Sequence, residues 1–89
     1  MTTASDVGWF VYMLRCADDS LYTGITTDVS RRCDQHNAGK TSRYTRSRLP
    51  IHLVYEEALT SRSLALKREA AMRALSRIQK ESLIVASNQ

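Results

Sequence analysis

The chain has 89 residues and a mass of 10.1 kDa, which is room for one domain, since two would each fall near the size at which a core stops supporting itself. Hydrophobic residues make up 43% and charged residues 25%, close to the globular average, which excludes a disordered tail or a fibre. Net charge is +4; no uncharged apolar run approaches the roughly 18 residues of a membrane span and no basic-then-apolar leader opens the chain, so a cytoplasmic protein without membrane contact is expected.

Trp9 to Cys16 is rich in aromatic and β-branched residues, Asp18, Asp19 and Ser20 supply turn chemistry, and Leu21 to Thr26 is a second short apolar run. This pattern predicts a β-hairpin. Asp28 is a good N-cap and Gly39 stands where a helix end favours a left-handed residue, so a first helix is expected over Val29 to Ala38. After Pro50, Ile51 to Glu57 reads as a partly buried third strand. From Ser61 onward the helix formers Leu64, Ala65, Leu66, Ala70, Ala71, Met72, Ala74 and Leu75 predict a second helix with an apolar stripe. Ser76 and Gln79 have the spacing of a capping box, which starts a third helix ending near Ala86. The expected order is ββαβαα, a small α/β domain, with about eight loose residues at each end. Cys16 and Cys33 fit neither a zinc spacing nor a secreted disulfide pattern and are read as reduced, apolar side chains.

Ten of the 13 cations are arginine, and they are unevenly placed. Arg31, Arg32, Lys40, Arg43, Arg46 and Arg48 face Asp34 alone, whereas the preceding residues and the segment around Glu56 and Glu57 are acidic. A second basic block, Arg62 to Lys80, contains the single carboxylate Glu69 and by itself reads as a solvated helix face. The polar stretch Gly39 to Arg48, with Tyr44 among its cations, suits a flexible phosphate-contacting loop with one stacking ring.

Arg32 and His36 share one helix face with Val29 and Cys33; the arginine is either a stem lying over the core edge or a chemical group, and the histidine either a local hydrogen bonder or a partner in chemistry. Glu69 projects among Ala65, Leu66 and Met72, where a carboxylate needs either an arginine partner or a hard divalent cation. Tyr12 and Tyr22 are placed to be neighbours on one hairpin face, by default as packing residues. Gly24, inside a strand, signals close approach of another backbone or a ligand.

Taken together, Val11-Tyr12, Tyr22-Thr23-Gly24, Arg32, His36-Asn37 and Glu69 resemble the GIY-YIG nuclease superfamily, in its small stand-alone bacterial branch, over residues 9 to about 84. Phe10-Val11 replaces Gly-Ile of the first motif, and Ile25 stands where some relatives carry lysine. The resemblance implies a three-stranded antiparallel sheet flanked by helices and a Mg²⁺- or Mn²⁺-dependent endonuclease acting on branched, damaged or single-stranded DNA in repair or recombination. It implies Tyr22 as base assisted by Tyr12, Arg32 as the catalytic arginine and Glu69 as metal ligand, with His36 carrying a proton or positioning water. A phenol is a weak base at neutral pH, so a nearby cation must favour its anion, and Arg32 is the candidate. Gly24, Arg31, Asn37, Lys40, Arg43, Tyr44 and Arg46 are expected along the DNA. The alternatives are a non-catalytic nucleic-acid-binding adaptor, and a nuclease subunit that needs a targeting protein partner.

Overall fold

A computed structural model describes residues 8–88; the expected loose N-terminal residues lie outside that range apart from Gly8. The elements are β1 (Trp9–Arg15), β2 (Leu21–Thr26), α1 (Val29–Asn37), α2 (Arg43–Arg46), β3 (His52–Leu59), α3 (Arg62–Arg73) and α4 (Arg77–Ser87). The strands form one antiparallel sheet in the order β2-β1-β3, so the first strand is central and β2 is an edge. The order ββαβαα holds apart from one addition. What reads in sequence as a flexible loop contains the short helix α2, because the Ser42 side chain accepts from the N–H groups of Tyr44 and Thr45 and caps it.

Other termini follow the sequence signals. Asp28 accepts from the Arg31 N–H at the start of α1, and Gly39 takes a φ of 75° just beyond its end. Both halves of the Ser76–Gln79 capping box form. The third strand runs two residues past the expected end, since β1 continues to offer partners as far as the Trp9–Leu59 pair. The C-terminal residues are not loose as expected: α4 continues to Ser87, anchored by Ile84, which is 5% exposed.

Strand alternation divides the core in two. Val11 and Met13 point to the α3/α4 face and pack with Met72 and Ile84, whereas Tyr12, Leu14 and Cys16 point to the other face, with Ile51, Leu49, Tyr22 and Cys33. Of the apolar stripe expected on α3, Ala65 and Met72 are buried but Leu64 and Leu66 are exposed; the helix lies close to the sheet on its small residue. Arg15 donates to both carboxylate oxygens of Glu81, at 2.9 and 2.7 Å, and Arg77 joins Glu81 to Asp19, which fastens α4 to the hairpin. Both cysteines are free, Cys16 buried. Among the described residues, no helix is long and apolar enough to cross a membrane.

Candidate active site

The face of the sheet under α1 and α2 buries polar groups. Tyr12, His36 and Thr45 are respectively 1%, 1% and 0% exposed, and buried polar groups need partners. The Tyr12 hydroxyl lies 3.0 Å from His36 Nε2, and Thr45 Oγ1 lies 2.8 Å from His36 Nδ1. The Thr45 hydroxyl donates to the Ser42 carbonyl at 3.3 Å, so its oxygen must accept from Nδ1–H; an unprotonated Nδ1 would meet a lone pair there. Thr41 Oγ1, 2.5 Å from the same nitrogen, shares that hydrogen. Nε2 is therefore the acceptor for Tyr12. Burial, aided by the nearby Arg32 guanidinium, lowers the His36 pKa and keeps the ring neutral. Burial, reinforced by Tyr22, pushes the Tyr12 phenol up to about 12 although Arg32 pulls the other way. Tyr12 thus keeps its proton at neutral pH and acts as a donor.

Register brings the second tyrosine in. Tyr12 pairs with Gly24 and Leu14 with Tyr22, so the two phenols are diagonal neighbours on one face, with ring centroids 6.4 Å apart. Tyr22 also meets the His36 ring edge-on at 5.1 Å. The expectation of a substrate approach at Gly24 is corrected. A Cβ there would sit 2.7 Å from the Tyr12 hydroxyl, so the residue is small to admit that phenol.

Arg32, half-buried, donates from Nε to Gln35 at 3.2 Å and lines a shallow pocket of about 220 Å³ with Arg31 and Asp28. Lys40, Arg43 and Arg46 are exposed and make no ion pair among the described residues, leaving a basic rim along α2 and the loop that precedes it. Asn37 is not placed for substrate. Its side-chain amide donates to the Ile51 carbonyl at 3.3 Å and its oxygen accepts from the Ile51 N–H at 2.9 Å, so it braces the entry to β3. Arg48 also leaves the expected phosphate-contacting run, since it pairs with Asp18 at 2.9 Å and lies over the Tyr44 ring, 3.9 Å from its centroid. Tyr44 is thereby held beside Tyr22, with centroids 6.1 Å apart.

Glu69 sits across the edge strand on α3. Its side chain is 18% exposed, and Oε2 accepts from Arg73 at 3.1 Å. Arg73 in turn donates to the Thr23 carbonyl of β2 at 3.1 Å, which ties the carboxylate to the strand bearing Tyr22. Oε1 has no hydrogen-bond partner among the described residues, and no group of three or more His, Cys, Asp or Glu gathers there. That donor set fits a hard cation that keeps most of its waters and takes one protein carboxylate. Sequence reasoning missed Arg73, Thr41 and Thr45. Arg73 was signalled by its i+4 spacing from Glu69; Thr41, just before the α2 cap, and Thr45, on α2, meet His36 because that short helix forms, and its one sequence signal was the N-cap Ser42.

Comparison with known proteins then decides the family. The GIY-YIG catalytic domain matches residues 8–81. The chain belongs to the GIY-YIG family. A UPF0213 protein of Desulfotalea psychrophila, DP2720, is 54% identical over 80 residues, covering 89% of this chain and 73% of the relative. One of Staphylococcus haemolyticus, SH2523, is 48% identical over 75 residues, 84% of this chain and 92% of that one. Solution structures agree with the fold: the UPF0213 protein BH0048 of Bacillus halodurans has a TM-score of 0.57 at 45% identity, over 88% of this chain and 83% of that one. The E. faecalis protein EF2693 has a TM-score of 0.58 at 34% identity, over 90% and 86%. This GIY-YIG domain lies in the UPF0213 group of the superfamily, whose fold of three antiparallel strands with flanking helices the architecture shares. Ile25, in place of the lysine of some relatives, packs toward the apolar core on the α3/α4 face.

Proposed function

We propose that this protein is a divalent-cation-dependent endonuclease that hydrolyses phosphodiester bonds in DNA, in repair or recombination. The observation that carries the reading is the buried chain from Thr45 through His36 to Tyr12, which ends beside Tyr22 and Arg32. Nothing in the fold requires these three polar groups at that depth, and burying them destabilises unless each finds a partner.

In this reading Tyr22, half-buried and accessible, acts in its phenolate form and takes a proton from the attacking water, becoming the neutral phenol. Tyr12, held protonated, donates to His36 and keeps its oxygen lone pairs toward the site, orienting Tyr22 and the water. Arg32 holds the equatorial phosphate oxygens as charge builds, a task its guanidinium performs without losing a proton. Glu69 would hold Mg²⁺ or Mn²⁺ through Oε1, and the bound cation supplies Lewis-acid polarisation of the phosphate. Arg31, Lys40, Arg43 and Arg46 bind backbone phosphates and position the strand without reading bases. With this small set of groups, choice of target falls to DNA shape or to a targeting protein partner.

The test is purified protein with Mg²⁺ or Mn²⁺ against plasmid, branched and single-stranded DNA. Cleavage is expected, and Glu69→Gln should abolish it with DNA binding retained. A Glu69→Gln variant of full activity, or wild-type protein that binds all three DNAs and cuts none with either cation, would overturn the reading.

A further inference from the structure

Beyond the catalytic cluster, a groove of about 310 Å³ opens along the edge strand, lined by Leu21, Tyr22, Thr23, Tyr44, Arg73 and Lys80. Its walls are chemically unlike. One carries two phenols with centroids 6.1 Å apart; the other carries two cations from the C-terminal helices, and none of the six lining residues is acidic. Lys80 makes no ion pair among the described residues. Arg73 is 58% exposed at its side chain and already touches both Glu69 and the Thr23 carbonyl. The groove therefore includes Tyr22 and, through Arg73, adjoins the candidate metal ligand.

Tyr44 is built as a fixed shelf. Arg48 covers its ring at 3.9 Å and is itself held by Asp18 and by the Tyr44 carbonyl at 2.9 Å each. The phenol, 38% exposed, is thus stiffened without being hidden. A stiff ring loses little freedom when a flat partner stacks on it. Paired bases are stacked on both sides within a duplex and present only their edges, whereas an unpaired base can lie against an aromatic ring and contributes about 1–3 kcal/mol by doing so.

We infer that this groove is a subsite for an unpaired nucleotide flanking the scissile phosphate, its base stacked on Tyr44 and its phosphate held by Arg73 and Lys80. The inference rests on the nuclease reading for its substrate and names the class: DNA with a single-stranded segment at the cut. Lys40, Arg43 and Arg46 serve any DNA backbone; the groove adds a preference for the strand that has lost its partner.

The test measures binding of wild-type protein to labelled oligothymidylate and to a duplex of equal length, by fluorescence anisotropy with a chelator present so that no cutting occurs. The single strand should bind tighter. Tyr44→Ala should weaken single-strand binding about tenfold or more and duplex binding far less, while Tyr44→Phe, which keeps the ring, should retain the wild-type value. Lys80→Gln should lower the salt dependence of single-strand binding by about one phosphate contact. Equal losses for both DNAs, no change with Tyr44→Ala, or tighter binding of the duplex would each overturn the subsite. Since no cleavage is involved, an inactive protein that passes this test leaves the subsite standing and sinks only the nuclease reading; an active one that fails it does the reverse.

Discussion

The two faces of one sheet use burial for opposite ends. Under α3 and α4, Val11, Met13, Met72 and Ile84 make a core of apolar contacts, and the ionic groups are pushed to its border, where Arg15, Glu81 and Arg77 hold α4 to the hairpin. Under α1 and α2, the deepest side chains include a phenol, an imidazole and a hydroxyl joined in a line. An apolar core tolerates exchange of shape at modest cost, because dispersion and hydrophobic burial are non-directional. A buried hydrogen-bond line does not, because each group left unpaired carries its full desolvation penalty. One face is built for stability and the other fixes the direction of a proton.

Substitutions on the two faces should therefore separate stability from turnover. The largest effect is expected from Tyr22→Phe, which removes the proposed proton acceptor: DNA cleavage should fall by a factor on the order of 10² or more at an unchanged melting temperature. A lowered melting temperature with intact cleavage would reverse the roles of the faces. Next is Met72→Ala, which leaves a cavity in the apolar core and should cost about 2–5 kcal/mol in denaturant unfolding, with per-molecule turnover preserved wherever the protein is folded. Gly24→Ala forces a methyl group against the Tyr12 phenol, 2.7 Å from its oxygen; overpacking of this kind costs roughly 1–3 kcal/mol, and here it should also reduce cleavage. If Gly24→Ala is as stable and active as wild type, the tight Tyr12 packing is not needed.

Thr45→Val leaves Nδ1–H of His36 with Thr41 alone and should cost about 1 kcal/mol. The sharper readout is nitrogen NMR of His36, which should report the Nδ1–H tautomer in wild type and in Thr45→Ser but a mixture in Thr45→Val. The smallest effect is the pH dependence of stability, in which the two faces act in different windows. His36 has a lowered pKa in the folded chain, so its contribution is complete above the ordinary value of 6.5 and declines as pH falls below it, where the unfolded chain binds the proton more readily. Glu81, held at about 2 mainly by its hydrogen bonds from Arg15, contributes fully above its ordinary 4.5 and loses that contribution as pH falls toward 2. In acid titration of unfolding free energy, His36→Gln should flatten the upper limb and Glu81→Gln the lower one.

Local signals were legible where one residue decides the outcome. Asp28, Gly39 and the Ser76–Gln79 box placed helix ends with little error, because capping is chemistry within three residues. That Tyr12 and Tyr22 would be neighbours on one face was legible as a possibility from the length of the hairpin. What Gly24 makes room for was not, since that depends on which residue of β1 stands opposite. Asn37 looked like a substrate group because its partner, the backbone of Ile51, lies 14 residues away with no mark in sequence. Leu64 and Leu66 looked buried because apolar composition was read as burial; packing chose Ala65 between them. Glu69 was legible as an anomaly, and its arginine partner was anticipated in kind, though the bond from Arg73 to the edge strand was not.

The central position of β1 has a consequence for how the protein tolerates change. Tyr12 and Met13 are adjacent, and only the pleat sends one to the polar line and the other to the apolar core. A slip of one residue in hairpin register would exchange them, seating a thioether against His36 and a phenol among Met72 and Ile84. The turn between Cys16 and Ser20, closed by their paired backbone hydrogen bond at 2.9 Å, is thus a ruler for the chemistry although it lies outside the site. Insertions there are more dangerous to activity than their exposure suggests, and a chain lengthened by one residue at that point would misplace its proposed proton donor even while keeping its secondary structure.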